Sequence, residues 1–130
     1  MAKIWTFLDF VNDNGVNLVR EWTQRMPPIA KQRFTTRIEL LEVTPVLQTA
    51  GYTTVLEGEC DGLFEIKFTA NRIQWRPLAY YGPGRRQVTI LAGATEKGGR
   101  LMPRNACAMA LARRDLVQSD RRYVCDHDFS

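Results

Sequence analysis

Residues 62–79 read GLFEIKFTANRIQWRPLA and predict an antiparallel hairpin. Apolar and polar side chains alternate before the turn at Asn71-Arg72, which is the pattern of a strand with one buried face. If these two residues form the loop, each residue of the first strand has a defined partner on the second. The apolar pairs on one face are Phe68 with Trp75, Ile66 with Pro77 and Phe64 with Ala79. Because this apolar face is continuous, the register is self-consistent, and we expect the hairpin to form the central part of a sheet.

The flanking sequence completes an α+β pattern. Residues 3–11 predict a first strand, and apolar residues at helical spacing predict helices over 16–26 and 28–43. Pro27-Pro28 separates these helices, so we expect an antiparallel helical hairpin. The remaining predicted elements are strands at 53–56, 73–81 and 87–92 and a closing helix at 105–118. The expected fold is therefore a helical hairpin packed on a twisted antiparallel sheet, with a C-terminal helix. We expect one domain over residues 1–118 and a flexible tail over 119–130.

Length and composition exclude several classes of protein. The chain has 130 residues, of which 45% are hydrophobic, and this is enough for one domain with its own core. No apolar run reaches the roughly 18 residues of a membrane span, and Asp9 interrupts the only N-terminal apolar run. We therefore predict neither a membrane span nor a signal peptide. The cysteines, at unrelated spacings, are Cys60, Cys107 and Cys125. They predict reduced thiols in a cytoplasmic protein, with no metal site and no cofactor.

The basic residues are concentrated in the second half of the chain. Residues 61–130 carry 12 basic and 7 acidic side chains, and the whole chain has 14 arginines but only 4 lysines. The guanidinium group presents a planar fork of donors that matches phosphate oxygens, so this half suggests a phosphate-bearing partner. The alternative, equally compatible with charge alone, is a solvated basic surface.

The predicted hairpin register places two cations opposite each other on its polar face. Lys67 faces Arg76, and such a like-charged pair costs up to about 1 kcal/mol. A sequence can tolerate the pair because a neighbouring acid such as Glu65 neutralises it, or because the pair holds an anion. The following strand and loop add Tyr80, Lys97 and Arg100 to the same side. These side chains predict a phosphate cradle, with a solvated face of splayed side chains as the alternative.

Several segments, taken in order, resemble the phage-derived toxins of the RelE/HigB superfamily. They are residues 19–22 (VREW), 62–67 (GLFEIK), 75–81 (WRPLAYY), 88–103 (VTILAGATEKGGRLMP) and 110–116 (ALARRDL). The resemblance implies a RelE-like fold and a metal-independent endoribonuclease that cleaves mRNA, often on the ribosome. It also implies a small helix-turn-helix antitoxin as the neutralising partner.

The resemblance also assigns roles by position. In such an enzyme the ribose 2′-OH attacks the adjacent phosphorus, and the protein stabilises the charge that develops. The resemblance implies Lys67, Arg76, Lys97 and Tyr80 as catalytic residues. It implies a contact between Arg100 and the flanking phosphates of the RNA. Independently of the resemblance, the expected exposure of Arg85 and Arg86 at a hairpin tip makes them further candidates for RNA contacts. We expect Lys67 and Arg76 to be exposed, so that alanine at either position would abolish toxicity with little loss of stability.

The sequence departs from the family pattern at several positions, three of which bear on catalysis. Ala92, Ala94 and Glu96 stand where the family has a histidine, a phenylalanine and a lysine. These departures leave open a non-catalytic phage module that binds nucleic acid or protein on the same fold, or a phage assembly protein. His127, the only histidine, lies in the polar tail, where we expect disorder rather than acid–base chemistry.

Overall fold

A computed structural model describes residues 2–49 and 51–128, and ten strands and three α-helices occur within them. The strands are β1 (Thr6–Phe10), β2 (Thr53–Val55), β3 (Phe64–Ile66), β4 (Phe68–Ala70), β5 (Ile73–Trp75), β6 (Leu78–Tyr81), β7 (Gln87–Ala92), β8 (Thr95–Lys97), β9 (Arg100–Met102) and β10 (Val124–Asp126). The helices are α1 (Leu18–Gln24), α2 (Pro28–Glu42) and α3 (Ala106–Ser119), with 3₁₀ turns at Gly58–Cys60 and Arg121–Tyr123. The α+β class is confirmed.

The two helices of the predicted hairpin form close to the expected bounds. The Asn17 side chain caps α1 by accepting a hydrogen bond from the Arg20 amide at 2.8 Å. Pro28 occupies the first position of α2, where its missing amide hydrogen costs nothing. The apolar stripe of α2 is buried as its spacing predicts, at Ala30, Phe34, Ile38 and Leu41.

The strands form two sheets, and one pairing differs from the prediction. The larger sheet has the order β10-β1-β7-β6-β3-β2, and the smaller one has the order β4-β5-β8-β9. The prediction of a wholly antiparallel sheet is wrong at one place, because β1 runs parallel to β7. The long segment between these strands, which includes α1 and α2, provides the crossover that a parallel pair requires.

The hairpin register derived from the sequence is confirmed. Phe68 pairs with Trp75, and Phe64 pairs with Ala79. Asn71 and Arg72 both have positive φ, at 56° and 63°. This conformation is that of a type I′ turn, whose twist matches the strands that it joins.

Helices cover both faces of the larger sheet. Neighbouring residues of a strand point to opposite faces. Asp9 contacts His127, whose ring lies 5.6 Å from Phe34 of α2. Phe10 on the other face stacks on Tyr123, and the Arg113 guanidinium of α3 lies 5.0 Å from its ring.

The prediction of a flexible tail after residue 118 is wrong for most of that segment. Strand β10 pairs with β1, and the Val11 amide donates to the Tyr123 carbonyl at 2.8 Å. Tyr123 is buried against Phe10, so this segment belongs to the domain. Residues 129 and 130, also part of the predicted tail, lie outside the described residues.

Two of the three predicted free thiols form a disulfide. Cys60 is bonded to Cys107, 47 residues away, and Cys125 is a free cysteine. The fold places the 3₁₀ turn at Gly58–Cys60 against the first turn of α3, which the cysteine spacing could not indicate. No helix among residues 2–49 and 51–128 is long and apolar enough to cross a membrane.

Candidate functional site

The chain passes between the two sheets at three places that lie side by side: from β3 to β4, from β5 to β6 and from β7 to β8. We call this line the sheet bend and define it by Lys67, Arg76, Pro77, Gly93 and Ala94. Hydrogen bonds continue across it, from the Ile66 amide to the Pro77 carbonyl at 2.9 Å and from the Arg76 amide to the Ala94 carbonyl at 2.8 Å. Pro77 cannot donate to a ladder, and the β6–β7 register shifts immediately after it. An irregularity of the β6–β7 ladder between Leu78 and Ala79 thus accompanies this proline.

Gly93 lets the bend pack tightly against α1. A Cβ atom at this position would lie 2.1 Å from the indole ring of Trp22. The indole also makes edge contacts with Phe34 and Trp75 at centroid distances of 5.9 and 5.8 Å. The Trp22 side chain thus packs α1 closely against the bend.

Arg76 is buried at the bend, so the expectation that it is exposed is wrong. Only 6% of the residue is exposed. Its guanidinium donates to the Trp75 carbonyl at 2.8 Å and to the Gln74 side chain at 2.6 Å. Its Nε lies 3.6 Å from a carboxylate oxygen of Glu96 and 3.9 Å from one of Glu65. The central predicted phosphate ligand therefore faces internal acids.

The two acids come from strands of different sheets, one on each side of the bend. Glu65 lies at the centre of β3, and Glu96 lies on β8, where it pairs with Gln74. Burial raises the pKa of Glu65, and the negative charge of Glu96 raises it further. The positive charges of Arg76 and, to a smaller extent, Lys67 oppose this shift. Lys67 thus lies near this cluster, as predicted, and it is half-buried. Sequence reasoning identified Glu65 as a neutralising acid but missed Glu96 as the second one.

The raised pKa of Glu65 predicts a pH dependence of stability. The folded state holds this proton more tightly than the unfolded chain, whose carboxyl titrates near its ordinary value of 4.5. This contribution is complete below that value and is lost as the pH rises through the raised pKa. We expect the free energy of unfolding of the parent to fall, relative to Glu65→Gln, as the pH rises above 4.5. Urea denaturation of both proteins at several pH values measures this difference. If the free energy of the parent relative to the variant stays constant or rises with pH, the pKa of Glu65 is not raised in the folded protein.

Tyr80 does not join the cations of the bend. It is 4% exposed, and its hydroxyl has no hydrogen-bond partner among the described residues. Burial raises the pKa of this hydroxyl, and the charges that oppose the shift are Arg114 and Arg121. The charged groups that influence Glu65 are different ones, namely Arg76, Glu96 and Lys67. The predicted proximity of Tyr80 to the phosphate cradle is therefore wrong.

The other predicted cations lie at exposed hairpins. Lys97 pairs with Arg100 beside the Gly98-Gly99 turn, and both side chains are exposed. Arg85 and Arg86 are exposed in the connection between β6 and β7. Lys67 and Arg76 thus both lie at the bend and both influence the Glu65 carboxyl, whereas the other four cations lie on two separate hairpins.

His127 occupies a buried site that the sequence reading missed. Its Nδ1 lies 2.6 Å from an Asp9 carboxylate oxygen, and the two side chains are 3% and 0% exposed. The Asn17 side chain donates to the other Asp9 oxygen at 2.9 Å. No periodicity near the end of the chain indicates that β10 would carry this histidine onto β1. The pair therefore anchors the last strand.

Comparisons with known proteins add no relative. No family model, curated protein or solved structure matches this chain at a significant level. Among the residues that the structure describes, no group of three or more His, Cys, Asp or Glu side chains is arranged to hold a metal ion.

Proposed function

We propose that this chain is a RelE/HigB-like domain that binds single-stranded RNA through its exposed hairpin cations without cleaving it. The observation that carries the proposal is the burial of Arg76 between Glu65 and Glu96. The Arg76 guanidinium faces two carboxyl groups, so little of its positive charge is left for a phosphorane. Catalysis of this kind depends on donors aimed at charge that develops in the transition state. A cytoplasmic location belongs to the same proposal.

RNA binding is supported by the cations that have no acidic partner. Lys97, Arg100, Arg85 and Arg86 are exposed, and none forms an ion pair with a described residue. Long, unpaired cationic side chains can release counterions from phosphates when they bind.

Binding should weaken with salt in proportion to the number of phosphates that the protein neutralises. We expect Lys97→Gln/Arg100→Gln to flatten the logarithmic dependence of affinity on salt by about 0.7 for each phosphate that is no longer neutralised. Fluorescence anisotropy with a labelled single-stranded RNA, in EDTA and at several salt concentrations, measures this slope. Arg25→Gln/Lys31→Gln, which removes two exposed or half-buried cations from the helical hairpin, is the matched control. A slope that is unchanged in the hairpin variant, or equally reduced in the control, refutes this interface.

A second candidate, favoured by the raised pKa of Glu65 beside Arg76, is a metal-independent mRNA endoribonuclease held by an antitoxin. A carboxyl group that retains its proton at higher pH can exchange protons with a ribose 2′-OH, while Lys67 and Arg76 orient the phosphate. Incubation of RNA with the protein in EDTA separates the candidates, with growth after induced expression as the cellular readout. Cleavage that Glu65→Gln abolishes would establish the nuclease and overturn the non-cleaving proposal. Intact RNA and undisturbed growth are the expected results.

A further inference from the structure

The disulfide opens into a basic cleft. A cavity of about 390 Å³ is lined by both cysteines together with Arg100, Arg104 and Glu59. Neither arginine forms an ion pair with a described residue. The cleft therefore presents two free cations and one acid around a reactive bond, and an anionic ligand is favoured there.

The two sulfurs are not equivalent. Cys60 is partly exposed, whereas Cys107 is 5% exposed. Cys107 is the second residue of the 14-residue helix α3, and Asn105 makes no capping hydrogen bond through its side chain. The first turn of a helix stabilises negative charge, so a thiolate is better accommodated on Cys107 than on Cys60. Cys60 is thus the sulfur open to attack, and Cys107 is the better leaving group.

We propose that the Cys60–Cys107 bond is a thiol-exchange site for small anionic thiols of the glutathione class, which form a mixed disulfide on Cys60. The incoming thiolate attacks Cys60 Sγ, the S–S bond breaks, and its electron pair goes to Cys107 Sγ. A second thiolate attacks the sulfur of the bound small thiol and releases Cys60 as a thiolate. Two small thiols are oxidised to their disulfide, and the protein disulfide is reduced to two thiols.

Exchange releases a defined connection. The bond is the covalent link between the turn at Gly58–Cys60 and α3. The chain leads from this turn directly into β3, which carries Glu65. A small anionic thiol that enters the cleft can therefore break the covalent link between α3 and the segment that leads into β3.

The test compares reduction rates by 3-mercaptopropionate, 2-mercaptoethanol and cysteamine, which are anionic, neutral and cationic. Each rate is corrected for thiolate reactivity by the rate with a small-molecule disulfide. We expect the anionic thiol to be preferred over the cationic one by roughly tenfold at low salt, and the preference to fall at high salt. Arg100→Gln/Arg104→Gln should remove most of this preference. Arg72→Gln, in the exposed turn at the far edge of the smaller sheet, should retain it.

Mass spectrometry of the quenched first adduct identifies the attacked sulfur. An adduct on Cys60 is expected, and an adduct on Cys107 overturns the proposal. Rates in 8 M urea give the preference of the unfolded chain. The proposal is also overturned if the folded protein prefers the anionic thiol no more than the unfolded chain does. The same holds if Arg100→Gln/Arg104→Gln leaves the preference of the folded protein unchanged. Circular dichroism verifies that each variant is folded before its rate is compared.

Discussion

Arg76→Ala is expected to lower the free energy of unfolding by about 3–5 kcal/mol, because it leaves two carboxyl groups facing each other without their shared cation. The side chains of Arg76 and Glu65 are 7% and 10% exposed, so water can compensate little of the missing attraction. Three guanidinium hydrogen bonds, to Trp75, Gln74 and Phe68, disappear as well. Urea denaturation followed by circular dichroism measures the loss. This predicted loss replaces the expectation from the sequence that alanine at position 76 costs little stability.

Lys67→Ala is the matched control for this substitution. Lys67 is half-buried and forms no ion pair with a described residue, so we expect a loss within about 1 kcal/mol. Adding Glu65→Gln and Glu96→Gln to Arg76→Ala should recover part of the stability, since neutral amides no longer repel each other. If Arg76→Ala is as stable as Lys67→Ala, the buried charge cluster does not exist in solution.

Reduction of the disulfide is expected to lower the free energy of unfolding by about 4 kcal/mol. The bond joins residues 47 positions apart, and closing a loop of this length removes that much entropy from the unfolded chain. Cys60→Ser/Cys107→Ser should reproduce the effect of dithiothreitol.

Cys125→Ser is the control for the disulfide variant. This thiol is partly buried, and burial together with nearby Asp9 raises its pKa, so it takes little part in exchange at neutral pH. We expect a small change in stability and an unchanged response to dithiothreitol. A reduced parent as stable as the oxidised one would show that the bond does not constrain the unfolded chain.

Local patterns in the sequence predicted the local part of this fold. Alternation around Phe64 and Phe68, together with the Asn71-Arg72 turn, indicated the hairpin register. The stripe on α2 was equally readable, because a helix period reports which face is buried.

Features that depend on distant residues were not readable. The burial of Arg76 follows from the β5–β8 pairing, which brings Glu96 beside Gln74. The disulfide and the docking of β10 likewise join segments far apart in the chain. The like-charged pair of Lys67 and Arg76 indicated that something neutralises it, but the charge pattern of one hairpin cannot identify the second acid.

The tight contact between Gly93 and Trp22 limits how this protein can evolve. No larger residue fits at position 93 without displacing the indole, and with it the N-terminal helix. The shape of the backbone at this line is therefore hard to alter, whereas Glu96 sits nearby on a short strand with a third of its side chain open to water. A charge exchange at Glu96 would therefore change the electrostatics around Arg76 without disturbing the glycine–indole contact.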